Sequence, residues 1–145
     1  MQKSNNRIVK FLKENNLTIA FAESVTCGLA AHQLSVVKGT SEVLKGSIVC
    51  YDEKVKCNLL KVPQSILKKY TAESQQVTEA MTKNLKKLIS ADIYAAVTGL
   101  ASDGGSESKS KPVGTVFFSV LFRNKLYKST NIYYNQRLLC LCLIY

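Results

Sequence analysis

The sequence predicts an α/β fold, a three-layer sandwich whose mostly parallel sheet carries an antiparallel edge hairpin, within one domain over residues 1–145. Three observations predict it. The short apolar runs LTIAFA at 17–22, SIVCY at 47–51 and DIYAAVT at 92–98 lack the polar alternation of a strand with one wet face, so they read as strands covered on both sides. Segments of helical period lie between those runs. The last apolar run, 113–122, resumes at Leu126 beyond Arg123-Asn124-Lys125, the pattern of a hairpin.

In chain order, Ile8, Phe11 and Leu12 repeat at helical spacing within 5–15, and Asn15-Asn16 closes that amphipathic helix. The strand 17–22 ends at Glu23-Ser24, and the small-residue run CGLAAHQLSVV at 27–37 continues as a helix, leaving a serine at a strand-to-helix turn. After Lys38-Gly39-Thr40 comes the strand 47–51, and the charged run 52–56 leads away from it. Residues 63–70 start on a proline suited to a first helical turn. In 74–89, Val77, Ala80, Met81, Leu85, Leu88 and Ile89 mark one face of a long helix. The strand 92–98 runs into a Gly/Ser/Lys loop over 99–111, and a last helix is expected from about Asn135. Parallel strands bind ligands at their carboxyl ends, and Ser24, Tyr51 and Thr98 each close one of these strands.

Composition narrows the chemistry. Hydrophobic residues make up 46% and charged residues 21%, the balance of an ordinary globular domain. The longest apolar stretch, LLCLCLIY at the C-terminus, is far too short to span a bilayer, and MQKSNNR leads into no signal core, so a cytoplasmic protein without membrane contact is expected. The apolar tail makes self-association into a homo-oligomer an expectation. Twenty Lys and Arg against ten Asp and Glu give a net charge of +10, which favours anionic partners. The lysines are scattered, with pairs at Lys68-Lys69 and Lys86-Lys87, and read as a solvated surface rather than a nucleic-acid face. Cys27, Cys50, Cys57, Cys140 and Cys142 are odd in number without CxxC spacing, and His32 is the single histidine, so neither a disulfide framework nor a metal site is expected.

Common catalytic motifs fail one by one. GLASDGGS at 99–106 has Gly105 where a P-loop requires its lysine. Ser-x-x-Lys occurs at Ser35/Lys38, Ser65/Lys68 and Ser106/Lys109, matches that a lysine-rich chain produces by chance. His32 on a small-residue helix lacks the partners of a triad base.

The stretch Phe21-Ala22-Glu23-Ser24-Val25-Thr26-Cys27-Gly28 differs in kind, for it resembles the AES-x-T-x-G signature of the CinA C-terminal domain family, whose enzymatic members are nicotinamide mononucleotide amidohydrolases. The resemblance continues through Gly39-Thr40-Ser41, through Tyr51 to Lys56 as a Tyr-x-x-x-x-Lys element, and through Leu59-Leu60-Lys61-Val62-Pro63. It persists in Val97-Thr98-Gly99-Leu100-Ala101 and in Lys111-Pro112-Val113-Gly114-Thr115-Val116. Two departures stand out. Cys27 takes the place of the first glycine in the usual Thr-Gly-Gly, and Tyr133-Tyr134-Asn135-Gln136-Arg137 matches poorly the family's Phe-x-Gly-Asp/Asn-Arg, with only a short, atypical C-terminal helix to follow.

The resemblance implies a catalytic pair at Ser24 and Lys56 in a metal-independent serine amidohydrolase without cofactor. Its substrate would be a small phosphorylated nucleotide, nicotinamide mononucleotide, converted to nicotinic acid mononucleotide and ammonia. Chemistry agrees with the pair, since a serine needs a base and a lysine serves only when burial or a neighbouring cation pulls its pKa below about 10.4. Backbone amides near Thr26 to Gly28 would hold the oxyanion. Tyr51 would stack on the pyridinium ring or steer the lysine proton, Thr98 and Gly99 would offer a hydroxyl and an amide to ribose or phosphate, and Glu23 would hold the turn. Two alternatives stand beside this: a non-catalytic nucleotide- or nucleic-acid-binding relative in competence or DNA damage, and a serine amidase for another amide.

Overall fold

A computed structural model describes residues 2–133; the expected last helix and the apolar tail lie outside the described residues. The elements are α1 (Gln2–Glu14), β1 (Ile19–Glu23), α2 (Leu29–Ser35), α3 (Thr40–Val43), β2 (Leu44–Val49) and α4 (Glu53–Asn58). They continue with α5 (Gln64–Tyr70), α6 (Gln75–Leu85), β3 (Ile93–Gly99), β4 (Thr115–Phe122) and β5 (Lys125–Ile132). The strands form one five-stranded sheet in the order β2-β1-β3-β4-β5. β1 pairs in parallel with both β2 and β3, while β3-β4 and β4-β5 are antiparallel. The fold is thus the expected α/β sandwich, with a parallel centre and an antiparallel end.

β1 shows why the sheet needs two helical layers. Its alternate residues Ile19 and Phe21 pack with Val9, Leu12, Leu34 and Val43 of α1, α2 and α3. Ala20 and Ala22 point the other way, into a larger core with Leu67 of α5 and with Val77, Met81 and Leu85 of α6. Those three α6 residues recur every four positions, so one stripe of the helix lies on the sheet. Alanines at 20, 22 and 96 leave room for the larger side chains to come down between them. Ser74 caps α6 by accepting the Val77 N–H at 3.3 Å, worth about 1 kcal/mol.

Several boundaries differ from the sequence reading, and α3 was not expected. The charged run after the second strand is itself a helix, α4, whose cap is the Asp52 carboxylate accepting the Lys54 N–H at 2.7 Å. β2 starts at Leu44 rather than Ser47, because Leu44 already pairs with Ile19 before the register slips past Lys45 and Ala20 meets Gly46. α6 stops at Leu85, and both Leu88 and Ile89 N–H bond back to its carbonyl, which tucks Ile89 against the larger core. Because β1, β2 and β3 run in parallel, Ser24 and Tyr51 follow, and Gly99 closes, their carboxyl ends on one rim of the sheet.

Candidate active site

The turn after β1 is built around Glu23. This residue has no exposed surface, and its carboxylate accepts N–H groups from Gly28 (3.0 Å), Ala30 (2.9 Å) and Ala31 (3.0 Å) together with the Ser47 hydroxyl (2.8 Å). An acid ending a buried strand thereby satisfies the amides that open α2 and ties them to β2. Its own backbone carbonyl takes the Cys50 N–H at 2.8 Å and the Cys50 thiol at 3.5 Å. Glu23 holds the turn, as expected, and does not face the cleft.

Ser24 hangs from this clamp. Its N–H bonds the Val97 carbonyl at 3.0 Å, and its carbonyl accepts the Cys27 N–H at 3.0 Å. The chain then passes through positive φ at Cys27 (+48°) and Gly28 (+95°), so the position where the family pattern has glycine does require the left-handed region. Ser24 is 8% exposed, and among the described residues its hydroxyl makes no hydrogen bond. It lines a cleft of about 190 Å³ with Val25, Tyr51, Glu73 and the segment 99–105.

The amides assigned to the oxyanion require a correction. The Gly28 N–H is committed to Glu23, the Cys27 N–H to Ser24 and the Leu29 N–H to the Thr26 carbonyl. The Val25 and Thr26 N–H groups have no acceptor among the described residues, and the buried Thr26 hydroxyl is likewise unpartnered. Free donors at the nucleophile are therefore at Val25 and Thr26, so Thr26 stays in the expected span while Cys27 and Gly28 drop out and Val25 joins it.

Lys56 lies on α4 with 1% of its surface exposed, and its ammonium nitrogen donates to the Tyr51 carbonyl at 2.8 Å. Burial lowers its pKa from the ordinary value of a lysine, while Cys50, Glu73, Glu53 and Asp52 pull the other way. Beside it, burial pushes the Cys50 thiol up to about 11 despite the opposing Lys56 charge, so Cys50 stays neutral at pH 7. Among the described residues no hydrogen bond joins Lys56 to Ser24. The amine is tied to the backbone of Tyr51, a residue that also lines the Ser24 cleft.

The other expected residues separate. Tyr51 is 65% exposed and lines the cleft. Gly99 lines it too, and a Cβ there would meet the Thr115 carbonyl oxygen at 2.8 Å, so only glycine lets β4 pass this close. Thr98 does not reach the cleft. It is fully buried with its hydroxyl 2.8 Å from that of Thr78, whose own proton goes to the Ser74 carbonyl, making Thr98 the donor. Its alternation along β3 turns it under α6 instead.

Sequence reasoning passed over the opposite wall. Glu73 lines the cleft, and its Oε2 accepts the Ser106 hydroxyl at 2.6 Å. Lys111 spends its three protons on Thr71 Oγ1 (2.8 Å), Ser106 Oγ (2.7 Å) and the Glu73 carbonyl (3.0 Å), fastening the 99–111 loop to the α5–α6 corner. Burial lowers its pKa, with Glu73 and Glu107 opposing. Glu73 carries no signal in the sequence, and Lys111 enters only as the first residue of a family block; the length of the loop pointed here as well.

Among the described residues no helix is long and apolar enough to cross a membrane, and no group of three His, Cys, Asp or Glu could hold a metal ion.

A profile of the CinA C-terminal domain matches residues 1–138. The chain is 42% identical over 113 residues to a CinA-like protein of Pseudothermotoga lettingae, covering 78% of this chain and 28% of that protein. It is 40% identical over 129 residues to a CinA-like protein of Prochlorococcus marinus, covering 89% of this chain and 30% of that one. The chain thus spans less than a third of these curated relatives. Among solved structures it resembles the competence/damage inducible protein CihA from Agrobacterium tumefaciens with a TM-score of 0.91, at 29% identity over 99% of this chain and 88% of that one. A CinA superfamily protein of Escherichia coli aligns with a TM-score of 0.90 at 25% identity, over 97% of this chain and 82% of that one.

Proposed function

The chain belongs to the CinA C-terminal domain family, and from that premise we propose that it is a serine amidohydrolase that converts nicotinamide mononucleotide to nicotinic acid mononucleotide and ammonia. The observation that supports the reading is a buried lysine of lowered pKa held on the backbone of Tyr51, which lines the same cleft as Ser24, a residue 8% exposed whose hydroxyl has no partner among the described residues.

As a neutral amine, Lys56 has two N–H groups and one lone pair. One N–H stays on the Tyr51 carbonyl, and the lone pair takes the Ser24 proton when substrate fills the cleft and draws the two side chains together. The Ser24 oxygen attacks the carboxamide carbon, and the N–H groups of Val25 and Thr26 receive the oxyanion. The Lys56 ammonium returns the proton to the leaving nitrogen, ammonia departs, and an acyl-enzyme remains. Lys56 then takes a proton from water, whose attack frees the acid and restores Ser24. No step calls on a metal or cofactor.

Ammonia release from nicotinamide mononucleotide by the purified chain is the test. Ser24→Ala and Lys56→Met should each abolish turnover to a similar degree, because the two groups act as one unit. Equal rates for wild type and Ser24→Ala would refute the assignment, and a panel of other carboxamides separates this substrate from another amide.

The second reading, a non-catalytic binder of nucleotides or nucleic acid, draws on the net charge of +10 and on the competence and damage names of the structural neighbours. It requires steeply salt-dependent retention on nucleic acid that Ser24→Ala leaves intact.

A further inference from the structure

The charge of the cleft runs against the charge of the molecule. Basic residues outnumber acidic ones twenty to ten, yet the charged residues lining the cleft are Glu73 and Asp103. The neighbouring lysines are turned to other work, Lys56 to the Tyr51 carbonyl and Lys111 to Thr71, Ser106 and the Glu73 carbonyl. Glu73 keeps Oε1 without a hydrogen-bond partner among the described residues, while Oε2 is steadied by Ser106. On the same cleft stands the exposed ring of Tyr51. Ser24, nine-tenths buried as a residue and with its hydroxyl unpartnered among the described residues, lines the same cleft and marks where the reacting end of a ligand would lie. An acid on one wall and an open aromatic ring on another is the pairing that recognises a delocalised cation.

The geometry points to a cleft that selects its substrate by positive charge on the ring bearing the carboxamide, with Glu73 as the selecting residue and Asp103 in support. This rests on the amidohydrolase reading above and adds to it a basis for choice among amides. A neutral ring of the same shape leaves the Glu73 carboxylate facing an uncharged surface and loses both the ionic and the cation–π attraction. The phosphate end of a nucleotide would point away from these acids, toward the basic exterior.

Binding measured in the Ser24→Ala background separates recognition from the greater chemical reactivity of a cationic amide. Titration calorimetry would compare nicotinamide mononucleotide with benzamide mononucleotide, which has the same outline and no ring charge. The cation should bind about tenfold more tightly, the equivalent of about 1.4 kcal/mol. Adding Glu73→Gln should cut that ratio to about threefold or less, and adding Asp103→Asn should reduce it by a smaller step. Gln can still accept the Ser106 hydroxyl, so the loop keeps its fastening; Asp103, on an exposed loop, supplies a second variant should the first fail to fold. A ratio near one without Glu73→Gln, or a ratio that neither substitution changes, overturns the proposal. Charge preference without ammonia release from the wild-type chain would sink the hydrolase reading alone, and turnover without charge preference would sink this one alone. Failure of either nucleotide to bind at millimolar concentration overturns both.

Discussion

A lysine with 1% of its surface exposed must either carry its charge into a poorly solvated place or give up its proton, and Lys56 is poised between these. Burial dominates and lowers its pKa, and Glu73 is one of the acids holding it up. The kcat/KM for an amide substrate should therefore rise with pH on a limb below the ordinary lysine value of about 10.4. Removing the charge of Glu73 with Glu73→Gln takes away part of what holds that pKa up, so the limb should move to lower pH. A limb that stays in place, or moves to higher pH, would show that another group titrates. The same residue links activity to stability. Its folded pKa lies below its unfolded one, so between those values the unfolded chain binds more protons, and the penalty shrinks as pH rises toward about 10.4. Lys56→Met should be inactive yet more stable at pH 7 by about 0.5–2 kcal/mol, with the gap closing in alkaline denaturation curves. Cys27 makes the complementary case. Its φ of +48° strains a side chain that the family pattern replaces with glycine, and Cys27→Gly should raise stability by about 0.5–1 kcal/mol in urea melts, the strain relieved exceeding the added freedom of the unfolded chain.

The turn between β1 and α2 is a single device whose key is Glu23. Four donors converge on its carboxylate, and Glu23→Gln must turn an amide nitrogen toward donors on one side or the other. That substitution should cost about 2–4 kcal/mol and reduce turnover well beyond its effect on substrate binding, since the Val25 and Thr26 amides would lose their position. Unchanged kcat in a folded Glu23→Gln would show that the turn holds its shape without the clamp. Elements like this also mark the limit of what the sequence makes legible. The strands, the rim on which they end and the place of Ser24 at its turn were readable because buried parallel strands leave continuous apolar runs and because family blocks recur in sequence. α4 was readable in principle from Asp52 followed by Glu53, a cap and an acidic first turn, but its charges obscured it. The burial of Thr98 depends on the phase of β3 against α6, and the withdrawal of Gly28 depends on a side chain five residues away folding back. Neither is encoded in local pattern. Glu73 reaches the cleft only through the corner between α5 and α6, which tertiary packing alone decides.

At the scale of the whole molecule two fields act on a substrate that carries both signs of charge. The net charge of +10 attracts a phosphate bearing about −1.5 to −2 from a distance, and the acids of the cleft act only on the ring once it has arrived. Salt separates the two. Raising monovalent salt from about 10 mM to about 150 mM shortens the Debye length from about 30 Å to about 8 Å, which removes the long-range field and leaves contacts inside the cleft nearly intact. For nicotinamide mononucleotide, kcat/KM should fall severalfold over that range, mostly through KM. Nicotinamide riboside, the same cationic ring without phosphate, is repelled by the molecule at large, so its smaller kcat/KM should rise with salt instead. Opposite slopes follow only if a basic exterior surrounds an acidic cleft. Parallel slopes for the two would mean that the scattered lysines exert no directed attraction, and that capture rests on the cleft alone.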